Sequence, residues 1–333
     1  MLYRKLGSSG LRVSAICLGT MMFGDRTDLP EARNIVAAGL AGGVNFIDTA
    51  DVYKYGISET MVGEAIRDSR SQWVLATKVG NPMTSVPNEG GYSRTWLMRA
   101  IDASLKRLQT DYVDLYYMHR DRPDFSLDQA VAAMGDLIRM GKIRHFGLSN
   151  FRGWRIAEVV RTCDRLGVPR PVVCQPYYNA LNRMPEVEIL PACHHYEIGV
   201  VPYSPIARGV LTGKYPPGQK PPEDTRAGRG DERMMETEFR PESLVIAQQV
   251  KARAEAKGMT ATHFAYQWVL RNKIVSSVIA GPRTLSQWQE YIDGIDHKLD
   301  DTDEAFIDAL VRPGHPSSPG YTDPQYPMYG RLV

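Results

Sequence analysis

Four absences narrow this chain of 333 residues before any motif is considered. Cysteine is scarce. Cys17, Cys163, Cys174 and Cys193 are scattered with no CxxC spacing, which argues against a zinc knuckle or a disulfide framework, leaves no metal expected, and fits a reducing compartment. Charge of one sign is also lacking. Forty basic against 38 acidic residues leave a formal +2, too little to steer the whole molecule to nucleic acid or an anionic membrane, so any anion site is local. No apolar run reaches the roughly 18 residues of a membrane helix. Met1 to Lys5 lacks the apolar core of a secretory signal, so the expectation is a cytoplasmic protein with neither nucleic acid nor membrane as partner. Finally, no GxGxxG follows any strand-like stretch, which counts against a Rossmann domain but not against a nucleotide held another way.

What is present is a soluble-type balance, 43% hydrophobic with 23% charged residues, and a regular alternation of elements. Tyr3 to Leu6 and Leu11 to Ser14 flank the turn Gly7-Ser8-Ser9-Gly10 and predict a β-hairpin over residues 1–14. Core strands are then expected at 15–19, 44–48, 73–78, 112–118, 145–148, 172–175, 200–203 and 276–279, with amphipathic or helix-patterned segments between them. Pro30 opens the first helix, and Ser93 caps one whose Leu97, Ile101, Leu105 and Leu108 share a face. Residues 216–240, rich in Pro, Gly and charge without periodicity, read as a long mobile loop, and 313–333 as a tail on the surface. Helices at 242–257, 261–271, 285–294 and 301–310 add two beyond one per strand. Eight strands, each followed by helix and with no linker, predict one domain over 1–333, a (β/α)8 barrel.

In such a barrel the carboxyl ends of all strands meet at one mouth. The residues arriving there are Asp48, Lys78, His119, Ser149-Asn150, Gln175 and Tyr203-Ser204, with Tyr53 five positions beyond Asp48. They are polar and titratable. A tyrosine with a free pKa near 10 acts as an acid near neutral pH when a neighbouring ammonium stabilises its phenolate. Lys78 can supply that ammonium, Asp48 its counter-ion, and His119 a donor to a carbonyl oxygen. Taken singly, each has a plainer reading: Asp48 a strand-end cap, Lys78 a solvated lysine, His119 the start of a charged loop, Ser149-Asn150 a capping pair, Arg283 a surface cation. Four coincidences at the ends of separate strands favour chemistry over capping.

These residues sit in stretches with a familiar order: Asn45-Phe46-Ile47-Asp48-Thr49-Ala50 with Tyr53, Ala76-Thr77-Lys78, Asp114 to His119, Gly147-Leu148-Ser149-Asn150, Gln175, Pro202-Tyr203-Ser204-Pro205, Gly209 to Lys214, and Gly281-Pro282-Arg283-Thr284 with Gln287. Nearly the whole chain resembles an aldo-keto reductase. The resemblance implies NADPH (NADP+ in reverse, NADH less favoured) and a small carbonyl or alcohol substrate. Tyr53 then matches the general acid, Lys78 and Asp48 the pair that lowers its pKa, and His119 the group that orients the carbonyl. Ser149, Asn150 and Gln175 match carboxamide-binding groups, Tyr203 the aromatic platform under nicotinamide, and Ser204 and Pro205 its strand-end motif. Gly209, Leu211 and Lys214 match a pyrophosphate loop; Arg283, with Thr284 nearby, matches a clamp on the adenosine 2′-phosphate, and Gly281 and Gln287 count among the cofactor-binding residues of the same stretch. Tyr291 departs from the pattern, where many relatives carry Asn. Asn81, Met83, Trp96, Arg120 and Tyr321 are expected to line the substrate pocket. Two other classes stand beside the reductase. One is a nucleotide-binding regulatory or partner-sensing subunit with little turnover; the other is a Schiff-base aldolase using Lys78, disfavoured because Asp48 keeps that lysine charged. Substrate and oligomeric state are not written in the sequence.

Overall fold

The structure, a computed structural model, describes residues 1–327. The hairpin is β1 (Tyr3–Lys5) and β2 (Arg12–Ser14), antiparallel, with Arg4 opposite Val13. Eight parallel strands follow: β3 (Ile16–Gly19), β4 (Phe46–Asp48), β5 (Val74–Val79), β6 (Val113–Met118), β7 (Ile143–Ser149), β8 (Val173–Gln175), β9 (Gly199–Val200) and β10 (Val278–Ala280). Their order is β10-β3-β4-β5-β6-β7-β8-β9. The ring closes through backbone bonds just outside the last strands, where Ser276 N donates to Val200 O at 2.8 Å and Ile279 N to Pro202 O at 2.9 Å. The expected (β/α)8 barrel is thus observed. β9 is shorter than the expected 200–203 because Pro202 has no N–H to continue the ladder. Tyr203 resumes pairing by donating its N–H to Pro176 O at 3.0 Å.

The helices are α1 (Leu29–Ala41), α2 (Ile57–Ile66), α3 (Arg94–Leu108), α4 (Leu127–Arg139), α5 (Gly153–Leu166), α6 (Ile189–His195), α7 (Glu232–Thr237), α8 (Pro241–Ala256), α9 (Ala261–Arg271), α10 (Leu285–Asp293) and α11 (Asp301–Leu310). Ser93, Ser126 and Thr260 cap α3, α4 and α9 through side-chain oxygens, each satisfying an N–H that the helix leaves unpaired. Two expectations are corrected. The helix expected over 185–196 splits into a short 3-10 turn (Met184–Glu186) and α6, since the intervening Glu188 departs from helical geometry. The stretch 216–240 is not a bare loop: Asp231 caps α7 by accepting from Met234 N at 2.9 Å, and Met234 is fully buried. Six residues are too few to show an apolar period.

Two apolar layers hold the barrel. Outside, the helices pack their apolar faces on the strands. Inside, Cys17, Phe46, Val74, Ala76, Leu115, Tyr117, Val173 and Val201 fill the bore. The hairpin plugs its floor with Leu6 and Val13, both fully buried in that inner cluster. Gly7 allows this close approach: its φ is +51° and a Cβ there would lie 2.2 Å from Val172 O. A filled bore and a plugged floor leave the carboxyl-end mouth as the place for ligands. No helix among the described residues is long and apolar enough to cross a membrane.

Candidate active site

The mouth opens into a cleft of about 950 Å³. Asp48 ends β4 and Lys78 sits one residue from the end of β5, both essentially without solvent exposure. Lys78 Nζ pairs with Asp48 Oδ1 and donates to Thr49 O at 2.8 Å; the other Asp48 oxygen accepts from Gln175 Nε2 at 2.9 Å. The third neighbour of Lys78 Nζ is Tyr53 Oη at 3.1 Å. Tyr53 begins a 3-10 turn after β4, and the left-handed Lys54 and Tyr55 that follow bend the chain away. His119, directly after β6, meets the Tyr53 ring edge-on with centroids 6.0 Å apart. The structure therefore gathers Asp48, Tyr53, Lys78 and His119 in one place.

Electrostatics refine the expected roles. Burial alone would pull the Lys78 ammonium down, but Asp48 and Tyr53 more than offset it and hold the ammonium charged. Burial raises the Asp48 carboxyl, with Lys78 and Gln175 opposing. For Tyr53, burial raises the phenol and Lys78 pulls it down without overtaking that rise, so Tyr53 is a protonated donor at neutral pH. Lys78 acts on the phenol in the lowering direction, Asp48 adds to the rise, and desolvation of the phenolate is the largest effect. Burial, then Lys78 and Arg120, push His119 well below its usual range, which makes it a neutral imidazole. Its Nδ1 is buried and has no hydrogen-bond partner among the described residues.

A second group of residues runs from this centre along the cleft. Tyr203 stacks one face on Tyr177, with centroids 5.6 Å apart and planes 20° from parallel, and its hydroxyl donates to Asn150 Oδ1 at 2.8 Å. Asn150, left-handed at φ +59°, donates to His119 O and Ser149 Oγ, and Ser149 Oγ donates to Gln175 O. Ser204, Pro205, Gly209, Lys214, Gly281, Arg283 and Gln287 line the cleft as well. Leu211 is fully buried and Thr284 caps α10, so neither side chain lines it. Arg208, Arg226, Arg233, Tyr291, Gln325 and Tyr326 also line it. Of these only Tyr291 was singled out by the sequence, because the arginines come from the irregular stretch after β9 or from the six-residue α7, too short for a period to mark them. Of the expected substrate-pocket residues, Asn81 is in place. Trp96 is buried in the helical layer, Met83 packs against the same core, Tyr321 lies under Arg240 at 3.8 Å, and the Arg120 guanidinium lies 5.7 Å from the Tyr326 ring.

The far end of the cleft fits an anionic nucleotide. Lys214 and Arg283 form no ion pair with a carboxylate among the described residues, whereas Arg208 is paired with Glu238. Burial lowers Lys214, and the crowding of Arg283 and Arg226 lowers it further, a strain that a phosphate would relieve. Gly209, at φ +94°, brings its backbone close to Lys214, whose Nζ would lie 3.1 Å from a Cβ there.

A parallel barrel with its titratable groups gathered at the carboxyl-end mouth is the general class. The particular one follows from comparison: the chain belongs to the aldo/keto reductase family, whose model matches residues 15–312. Its relatives include a probable voltage-gated potassium channel subunit beta of Arabidopsis thaliana, 37% identical over 89% of this chain and 92% of that protein. The uncharacterized oxidoreductase YrpG of Bacillus subtilis is 34% identical over 90% and 93%, and the L-glyceraldehyde 3-phosphate reductase of Escherichia coli O157:H7 is 30% identical over 94% and 93%.

Proposed function

We propose that this protein reduces an aldehyde or ketone to its alcohol with NADPH, reversibly. The observation that carries the reading is the part-buried Tyr53 hydroxyl 3.1 Å from the Lys78 ammonium, beside a neutral His119 whose Nδ1 has no partner among the described residues. Reduced nicotinamide, when bound along Tyr203, Ser149, Asn150 and Gln175, supplies the hydride. Tyr53 delivers the proton to the carbonyl oxygen as the carbonyl carbon is reduced. Lys78, kept charged by Asp48, stabilises the phenolate left on Tyr53. His119, neutral, donates to the carbonyl oxygen and fixes its direction without adding charge. In the reverse direction the same phenolate accepts the alcohol proton.

Arg283 and Lys214 support NADPH over NADH, since guanidinium and ammonium groups lacking carboxylate partners favour an additional phosphate. Fluorescence titration with each cofactor tests this: tight NADPH binding, weakened at least tenfold in Arg283→Ala while NADH is unaffected, is expected. Equal affinity for both cofactors would contradict it. The names of the potassium-channel relatives motivate the second reading, a nucleotide-binding sensor with little turnover. The complete Asp48, Tyr53, Lys78 and His119 set weighs against it. NADPH binding with no carbonyl reduced from a broad panel would favour it.

A further inference from the structure

The ring that Tyr203 presents to the cleft is one half of a pair. β8 and β9 lapse where Pro176 and Pro202 have no N–H to offer, and the residue after each proline resumes the pairing. Tyr177 and Tyr203 form a parallel bridge, with Tyr203 N donating to Pro176 O at 3.0 Å. Asn179 Nδ2 donates to Ser204 O and Asn182 Nδ2 to Tyr177 O, both at 2.9 Å, so each segment is held to itself and to its neighbour beyond the strands. Bridged residues of neighbouring strands put their side chains on one face. The two rings accordingly lie nearly parallel, 20° between planes and 5.6 Å between centroids.

The surroundings of the two rings differ. Tyr203 lines the cleft, whereas Tyr177 does not and is only 8% exposed. The Tyr203 hydroxyl is tied to Asn150 Oδ1 at 2.8 Å, and one face of its ring is covered by Tyr177. The Tyr177 hydroxyl, by contrast, is buried without a hydrogen-bond partner among the described residues. Burial raises its phenol, and the fully buried Glu238 carboxylate adds to that rise. Glu238 is itself engaged by Arg208 Nε at 3.0 Å and by Thr237 Oγ1. A buried hydroxyl with no partner costs stability, so what Tyr177 contributes lies in its ring.

Resting on the reductase reading, we propose that Tyr177 is a positioning residue: its ring braces Tyr203 from behind, so that the uncovered face of Tyr203 is held at a fixed tilt for the flat nicotinamide ring. A tyrosine ring turns on two side-chain bonds, and the hydroxyl bond to Asn150 fixes only its far end. With no ring behind it, Tyr203 tilts into the space left and its contact with nicotinamide weakens. The phosphate groups of the cofactor, met on this reading by Lys214 and Arg283, are undisturbed.

The test compares full-length wild type, Tyr177→Phe and Tyr177→Leu in calorimetric titrations with NADPH and with adenosine 2′,5′-bisphosphate, which keeps the 2′-phosphate and lacks nicotinamide. Tyr177→Leu is expected to weaken NADPH about three- to tenfold and to leave the bisphosphate unchanged. Tyr177→Phe, which keeps the ring, is expected to bind both ligands as wild type does. Unchanged NADPH affinity in Tyr177→Leu overturns the proposal. So does equal weakening of both ligands, which a merely structural role would produce. A loss in Tyr177→Phe matching that in Tyr177→Leu overturns it too, since the hydroxyl would then be the working group. If Tyr177→Leu does not fold, Tyr177→Met, unbranched and without a ring face, is judged by the same criteria. Carbonyl turnover is read separately: a protein that shows the ligand difference but reduces no carbonyl compound refutes the reductase reading and supports the brace. A wild type that binds neither ligand refutes both.

Discussion

At the scale of single residues, the site depends on desolvation being opposed at each point by a specific neighbour. Lys78 is a buried cation that exists because Asp48 shares its burial, and Gln175 and Thr49 fill the remaining hydrogen-bonding positions. Lys78→Met removes the charge that opposes the burial-driven rise of the Asp48 carboxyl, so Asp48 takes up a proton and loses its partner; the variant is expected to be less stable by about 3–5 kcal/mol and to lose reduction. Thermal unfolding of the variant measures the first effect. The pH dependence follows from the direction of two shifts. Because burial keeps the Tyr53 phenol protonated beyond its usual value near 10, reduction is expected to be flat from about pH 6 to 9, whereas alcohol oxidation, which needs the phenolate, climbs with pH. His119 has the opposite shift. With its folded value depressed below the usual 6.5, the unfolded chain takes up a proton that the folded chain refuses, so its contribution to stability is complete above that pH and is lost as the pH falls. Denaturant midpoints of wild type and His119→Gln, compared between about pH 7 and 5, check this: the wild type should lose more on acidification.

At the scale of elements, the strand carrying Lys78 is anchored from behind by a group with no part in the chemistry. Glu59 of α2 is fully buried; it accepts from Thr77 Oγ1 of β5 at 2.6 Å and from Arg107 Nε of α3 at 2.6 Å, tying two helices to the strand. Glu59→Ala strands Arg107 and opens a polar void, so a loss of about 3–5 kcal/mol is expected. Cofactor affinity should survive in the fraction that stays folded, measured by titration below the melting transition. Gly63, on the neighbouring face of α2, lets that helix touch the end of α3: a Cβ there would lie 2.6 Å from the Leu108 backbone. Gly63→Ala is therefore expected to destabilise by about 1–3 kcal/mol despite alanine's better helix propensity. The strands and most helices were legible in the sequence for the same reason that these contacts matter. Buried stretches such as 73–78 and 112–118 must be apolar, and helices packed on one side must repeat. Glu59 escaped notice because a buried carboxylate in a helix looks like a surface one until its arginine is located 48 positions away.

At the scale of the whole molecule, the division is between parts that obey a period and parts held by long-range polar contacts. The barrel and the four residues at its mouth were legible because a (β/α)8 topology alone sends strand ends to one face. The segment 216–240 and the tail were not. Arg233 finds Asp323 and Tyr326 across 90 or more positions, and no local pattern announces that. The end of the expected surface tail, 328–333, lies outside the described residues. What the molecule assembles from both parts is a cleft with Lys214 and Arg283, unpaired with carboxylates among the described residues, towards one end and the part-buried Tyr53 at the other. The most direct measurement is single-turnover oxidation of bound NADPH by a carbonyl substrate, in wild type and in Tyr53→Phe. The account predicts one NADPH consumed per alcohol formed by the wild type, and a rate about a hundred- to ten-thousand-fold lower in Tyr53→Phe with NADPH affinity unchanged. Turnover preserved in Tyr53→Phe would contradict it.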